Sequence, residues 1–276
     1  MSFDLRKHPH DDVVTRVQAA LQTGFDITSR VLKRRSVGFR TERDTWVRIE
    51  IRDLARSDGQ GWGVEAASVL QDVAMPAWHQ GISWLDHGRV VVWRADETDL
   101  IVDRPVKPGG VLTIEPELSE SWWTTFNDSL TALSSHTTVR TATPHLQPIT
   151  QARFSSTIKK VFPAVDTTIT EWTAAHADLA WANLTAPNCH LLDWEDWGMA
   201  PRGWDASTLW SASLAVPTLA NRVLKERQVD LDNRTGELVQ LYHCAELLGA
   251  PAGYVEAALL EPAQRHGAEL LTDLQR

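Results

Sequence analysis

Cysteine is scarce in this chain. Cys189 and Cys244 are the only two among 276 residues, and neither lies in a C-x-x-C or other metal-type spacing. A disulfide framework is therefore not expected, and a reducing, cytoplasmic compartment is. Long apolar runs are missing too. No stretch of about 18 apolar residues occurs, so no transmembrane helix is expected. The N-terminal stretch MSFDLRKHPHDDVV has no apolar segment and reads against a signal peptide. Positive charge is in deficit: 27 Lys and Arg against 36 Asp and Glu give a formal net charge of −9. That balance argues against a general nucleic-acid or anionic-membrane binder and is compatible with a cationic small-molecule partner. Internal repeats and low-complexity segments are absent. What remains is a chain that is 43% apolar, long enough for one large domain or two lobes with a real core. Its 13 tryptophans are expected to serve mostly in packing.

Hydrophobic spacing gives a coarse order of elements. Residues 10–23 read as an amphipathic helix with Val13, Val14, Val17 and Leu21 on one face. The stretch RVLKRRSVGFRTERDTWVRIEIRD reads as two extended runs joined by TERDT. GVEAASVLQDVA reads as a short helix, and GRVVVWRADETDLIVDRPV as a hairpin turning near Ala95–Asp99. Pro and Gly in VKPGG mark a boundary, which divides the chain into 1–105 and 106–276. Beyond it, Ser119 or Ser121 starts a helix, and a Thr-rich connection follows at 137–150. After Pro201 helices are expected at about 204–227, 233–248 and 252–275. Strands with helices in front and helices behind imply an α+β, two-lobed architecture.

The stretch HADLAWANLTAPNCHLLDWEDWG, 176–198, carries the chemistry. Transfer of a γ-phosphoryl group needs an acceptor hydroxyl in line, a carboxylate to take its proton, and metal ions that neutralise phosphate charge. Magnesium takes hard oxygen ligands. Asp178 suits the base. Asn183, five residues on, offers an amide oxygen to metal. NLT and CHLLD read as two short strands joined by the turn APN, and a hairpin of that kind returns Asp193 beside Asn183. His176 braces the loop. Composition alone yields His-x-Asp-x4-Asn in roughly one such chain in seventy, so the added Asp after an apolar run is what gives the pattern weight.

This arrangement resembles the H-x-D-x-x-x-x-N loop and the following metal-binding Asp of protein kinases. It is closer to the aminoglycoside phosphotransferase family and its choline-kinase-like relatives, which carry an H-G-D-x-x-x-x-N loop and an apolar strand ending in I-D-W-E. HADLAWAN and LLDWED fit that form, and APRGWDASTLW fits the Pro, aromatic and Asp that follow. The resemblance covers about residues 25–275 in order of elements, but its specific motifs only about 176–209. It implies a bilobal protein-kinase-like fold: a small N-terminal β-sheet lobe with one or two helices, which binds nucleotide, and a larger, mostly helical catalytic lobe. It also implies ATP or GTP with Mg2+, and a small-molecule hydroxyl acceptor. Asp205 would hydrogen-bond the catalytic loop from a helix start.

The resemblance further calls for a basic strand residue paired with a helix Glu, to position the α- and β-phosphates. Arg48 and Glu65 are the candidates, with Arg52 as the same-face alternative. The family usually has Lys there, and Arg presents a fork rather than a point charge. A Gly-rich loop is missing, since RRSVGFRTERDT holds only Gly38. Arg34, Arg35, Arg40 and Arg43 either face phosphates in its place or lie on a solvated strand. Glu195, Asp196, Asp230 and Asp232 are candidates for an amine-bearing substrate, and Trp194, Trp197 and Trp204 for an aromatic wall. The alternative from another class is a pseudokinase, a nucleotide- or partner-binding module with little or no transfer. A protein kinase fits less well, because no activation segment follows Gly198.

Overall fold

The computed structural model describes residues 4–53, 60–144 and 147–275. Residues 1–3 of the N-terminal stretch and 145–146 of the Thr-rich connection lie outside that set. The chain forms two compact units, Met1–Val69 with Pro76–Val102, and Leu70–Met75 with Asp103–Arg276.

The first unit opens with helix α1 (Asp11–Leu21), whose Val13, Val17 and Leu21 are buried while Val14 packs at the margin. Five strands follow: β1 (Phe25–Leu32), β2 (Ser36–Thr41), β3 (Thr45–Asp53), β4 (Trp78–Asp86) and β5 (Val91–Asp99), with the short helix α2 (Gly63–Ala67) between β3 and β4. The sheet order is β1-β2-β3-β5-β4, and every pairing is antiparallel. Alternation dictates its two faces. Val47, Ile49 and Ile51 of β3 join Trp93 and Ala95 of β5 in one core with α1.

The opposite face of β3 and β5 is charged. Register sets Arg48 against Asp96 and Glu50 against Arg94, so opposite charges stand directly across from one another. This corrects the expected turn near Ala95–Asp99. Asp96 and Glu97 are buried strand acids, neutralised by Arg94 and by Arg43 at 2.9 Å, and the turn lies earlier, between β4 and β5. A second correction concerns the first extended run, 30–40. The expected single run is a hairpin, because β1 and β2 are joined at Lys33–Arg35, where no Gly, Pro or Asn signals a turn. The helix expected over 63–74 stops at Ala67.

The second unit is mainly helical. Its elements are β6 (Arg104–Pro105), α3 (Glu120–Ser135), α4 (Gln151–Val161), β7 (Trp172–Ala175), β8 (Thr185–Ala186), β9 (Gly198–Pro201), α5 (Trp204–Ser211), α6 (Pro217–Glu226), α7 (Gln228–Leu231), α8 (Arg234–Gly249) and α9 (Ala257–Leu274). Ser119 is the cap of α3, its hydroxyl accepting from Trp122 N–H. The helix expected over 204–227 is interrupted, since Pro217 occupies the first turn of α6 and starts a new helix. Pairing of β6 with β8 places Arg104 and Pro105 in this unit. Phe154, Trp204 and Tyr242 stack within its core, Phe154 and Tyr242 nearly parallel at 5.0 Å.

Candidate active site

The loop at 176–183 is held from three sides. It leaves β7, which pairs with β9 so that Ala175 lies opposite Gly198. Leu179, Trp181 and Leu184 are buried and act as anchors, while Asp178 and Asn183 between them stay partly exposed. Trp181 Nε1–H donates to Ser213 Oγ at 3.0 Å. The 3₁₀ turn Trp181–Asn183 then brings Asn183 back toward Asp178. The Asn183 amide donates to the Asp178 carbonyl at 2.7 Å and to its carboxylate at 3.2 Å. With its nitrogen committed as donor, the amide has its oxygen left as the acceptor.

The chain then returns to Asn183 just ahead of Asp193. Leu184 bridges Leu191, and the Leu192 N–H donates to the Asn183 carbonyl at 2.8 Å. Asp193 is the next residue, partly exposed, with φ +69°. The return is looser than the expected pair of strands. Only Thr185–Ala186 is extended, and it pairs with Arg104–Pro105 rather than with the returning segment. The oxygen donors of Asn183 and Asp193 suit a hard cation such as Mg2+, which takes one or two protein oxygens and leaves its other positions to phosphate and water. Among the described residues no group of three or more His, Cys, Asp and Glu is placed to hold a metal.

His176 and Asp205 brace the loop from beneath. Asp205, in the first turn of α5, accepts from His176 N–H at 2.7 Å and Ala177 N–H at 2.8 Å. Trp204 Nε1–H donates to the Ala177 carbonyl at 3.2 Å. Ala177 is thereby fixed at φ +74°, a left-handed conformation costing a non-glycine residue roughly 1–2 kcal/mol. The resembling H-G-D motif has glycine at this place. His176 is fully buried, edge-on to Trp194 at 4.6 Å. Its Nδ1 accepts from Asp178 N–H at 3.4 Å, so Nε2 carries the proton and donates to the Leu192 carbonyl at 2.8 Å. One imidazole thus ties the residue bearing the candidate base to the residue preceding Asp193.

Burial sets the protonation of both braces, in opposite directions. It pulls His176 down to about 4 and pushes Asp205 up to about 6, the latter opposed by the two backbone N–H groups and the Arg227 charge. Between pH 4 and 6.5 the unfolded chain binds a proton at His176 that the folded chain does not, so this contribution to stability rises with pH by about 3 kcal/mol. Asp205 acts oppositely between about pH 4 and 6, because there the folded chain binds the extra proton. His176→Gln removes the first contribution only. Urea unfolding at pH 4 to 8 is expected to show the wild-type advantage growing from pH 4 to 6.5 and level above. A pH-independent difference would mean that His176 is not held neutral.

Gly198, opposite Ala175, is packed against a second segment. Segment 140–142 runs beside it, with Met199 N–H donating to the Arg140 carbonyl at 2.7 Å and Ala142 N–H to the Met199 carbonyl at 3.1 Å. A Cβ on Gly198 would sit 2.5 Å from the Thr141 carbonyl carbon and 2.6 Å from Ala142 N. Backbone cannot yield as a side-chain tip can. Gly198→Ala is expected to lower unfolding free energy by about 2–3 kcal/mol, read from the urea midpoint.

The first unit departs from expectation in one respect. Glu65 pairs with Arg94 of β5 at 3.0 Å, whereas Arg48 lies beside Glu50 at 3.5 Å. Register explains the exchange: Arg48 belongs to the ladder opposite Asp96, and the adjacent strand presents Arg94 to α2. Arg52 bonds Glu50 at 2.8 Å. Trp62, capping α2, has the Arg52 and Arg94 guanidiniums over its ring, at 4.8 and 5.2 Å. Arg94 was legible in VWRADE, where charged and apolar residues alternate with strand period.

Two expectations about an acceptor surface are overturned. Trp194, Trp197 and Trp204 are at most 3% exposed, so they are core rather than a wall. Asp230 is buried and engaged by Arg202 at 3.1 Å and by Arg227. Asp196 accepts from the Thr143 hydroxyl and Asp232 from the Gln228 amide.

No family model and no curated protein matches the sequence. Solved structures do match over nearly the whole chain. Wild-type aminoglycoside 2'-phosphotransferase-IIIa in its GDP complex is similar with a TM-score of 0.53 at 12% identity, covering 96% of this chain and 99% of that one. Aminoglycoside phosphotransferase APH(4)-Ia gives 0.52 at 8% identity, covering 97% of each. Amicoumacin kinase hAmiN, in complex with AMP-PNP and Ca2+, gives 0.50 at 10% identity, covering 96% of each. The chain therefore has the bilobal α+β fold of the aminoglycoside phosphotransferases. No helix among the described residues is long and apolar enough to cross a membrane.

Proposed function

We propose that the protein is a small-molecule O-phosphotransferase that moves the γ-phosphoryl of ATP or GTP to a hydroxyl group. The observation that carries this reading is the joining of Asp178, Asn183 and Asp193 by one hairpin, with His176 bonded to both ends of it. Asp178 takes the acceptor's hydroxyl proton as the oxygen forms its bond to the γ-phosphorus and the nucleoside diphosphate departs. Asn183 orients Asp178 through its amide and, with Asp193, holds Mg2+. When bound, that ion neutralises phosphate charge. Asp205 and His176 position the loop and touch no substrate. In the first unit, Arg48 and Arg52 supply positive charge to the α- and β-phosphates, and Glu65 acts through Arg94.

A pseudokinase is the second reading. The engagement of Glu65 by Arg94, away from Arg48, favours it. The three oxygen-bearing side chains of the loop speak for chemistry, since a module that only binds has no need of a base. The acceptor is taken to be a small molecule. Its amine-bearing character loses support with Asp230 and the three tryptophans, which are structural.

A thermal-shift titration with ATP, GTP and Mg2+ tests the reading. At a hundredfold excess over Kd, the preferred nucleotide with Mg2+ is expected to raise Tm by about 5 °C. Asp193→Ala is expected to lose the Mg2+-dependent part. Absence of any shift in the wild type would sink the proposal. A shift without transfer to any hydroxyl acceptor would select the pseudokinase.

A further inference from the structure

Two arginines share one buried carboxylate in the second unit. Arg227, at the junction of α6 and α7, is buried and pairs with Asp230 of α7. Arg202, just ahead of α5, donates to the other Asp230 oxygen at 3.1 Å and reaches the half-exposed Glu171 at 3.0 Å. The Arg227 Nη1 group also donates to two α3 acceptors, the Asn127 carbonyl at 2.9 Å and the Thr131 hydroxyl at 3.3 Å. Its Nε–H is buried and has no hydrogen-bond partner among the described residues. Asp230 alone therefore leaves the buried end of this network with surplus positive charge.

Asp205 shares a small cavity with that surplus. The cavity has a volume of about 20 Å³, room for about one water molecule. Its charged lining among the described residues is Arg202 and Arg227 against Asp205 and Asp230, two of each sign. The lining from α3 and β7 is uncharged, as at Ser134 and Thr173. The loop above brings the like charge of Asp178 and the buried imidazole of His176. From α8, His243 meets the Trp204 ring and the Thr208 hydroxyl, on α5 itself. A carboxylate taken out of water needs hydrogen bonds and a compensating charge. His176 and Ala177 N–H supply the bonds, and Arg227 is the cation whose charge acts on Asp205.

We infer that Arg227 is a positioning residue for the Asp178 loop: fastened to α3, its guanidinium is the countercharge that keeps both Asp205 oxygens as acceptors. Its effect on rate rests on the phosphotransferase reading, which it extends to a residue that touches no substrate. Without the cation, burial and the Asp178 charge push the Asp205 carboxyl further up. Protonation turns one of its oxygens into a donor. That oxygen faces a loop N–H, so one of the two bonds weakens and the loop loosens around Asp178.

NMR titration of the aspartate carboxyl carbons reads this directly, with Asp205 assigned through Asp205→Asn. Wild type is compared with Arg227→Gln, Arg227→Lys and Asp230→Asn, and the pH profile of kcat is taken on the same proteins. Asp205 of wild type is expected to titrate near 6. Arg227→Gln is expected to raise that midpoint by at least about one pH unit. The acid limb of kcat should move up with it, a loss of about tenfold on the acid side, with nucleotide KM nearly unchanged. Arg227→Lys keeps the charge without the fork and is expected to restore most of both. Asp230→Asn removes a negative charge and is expected to lower the midpoint, which tests the inference even if Arg227→Gln does not fold. An unmoved midpoint in Arg227→Gln, or an unmoved or raised one in Asp230→Asn, overturns the inference. So does a kcat lowered equally at every pH, which marks a merely structural role. If wild type transfers phosphoryl to no acceptor, the phosphotransferase reading falls on its own. The midpoints then decide with hydrogen exchange at His176 and Ala177 N–H: faster exchange in Arg227→Gln upholds the link to the loop, and equal exchange overturns it.

Discussion

Asp178→Asn is expected to lower kcat at least about a thousandfold, with nucleotide Kd and Tm nearly unchanged. A positioned general base contributes about 10²–10⁴ in rate, and the substitution removes basicity while keeping shape. The surroundings favour a clean result. Asn183 reaches the Asp178 carbonyl at 2.7 Å as well as the carboxylate, so loop geometry does not hang on the ionised side chain alone. Steady-state transfer to an acceptor that wild type phosphorylates, alongside nucleotide titration, reads both quantities. Loss of nucleotide binding in step with kcat would place Asp178 on the nucleotide instead.

Asp205→Ala is expected to give the contrasting result, losing stability and activity together. Its carboxylate is the acceptor for His176 and Ala177 N–H. Orphaning two buried donors costs about 1–3 kcal/mol each. Removing a buried charge offsets part of this, leaving a net loss of about 2 kcal/mol in the urea midpoint. The loop then shifts, and a displacement of about 1 Å lowers kcat by about a hundredfold. Asp205→Asn keeps one acceptor and should fall between. A variant with lost activity and an unmoved urea midpoint would show that Asp205 meets substrate directly rather than holding the loop.

How much of this was legible in the sequence differs between the two units. In the second, HADLAWAN and LLDWED are local signals. The loop and its return are read from spacing within twenty residues, and the position of Asp205 at a helix start is what the family resemblance implies. What the spacing could not show is how loosely the return is paired, because Thr185–Ala186 takes its strand partner from residues 104–105, far away in sequence. In the first unit, the informative contacts are cross-strand. The partner of Glu65 depends on the β3–β5 register, which only the assembled sheet defines. The acids in RADETD imitate a turn, since their ion-pair partners sit on other strands and a window sees only their polarity. The tryptophans of 194–204 mislead for a related reason. Their place in and just after the motif offers them as a wall, whereas Trp194 and Trp204 are taken up by His176 and by the Leu191 and Ala177 carbonyls of the loop and its return.

The seating of α2 bears on control. Trp62 contacts two guanidiniums from different strands, and Glu65, one turn on, grips one of them. A helix of five residues fastened to both β3 and β5 has little freedom to swing out and back. Regulation by displacing this helix would require breaking both cation–ring contacts and the ion pair at once. If the proposed phosphotransfer is real, control through a swing of α2 is therefore not expected.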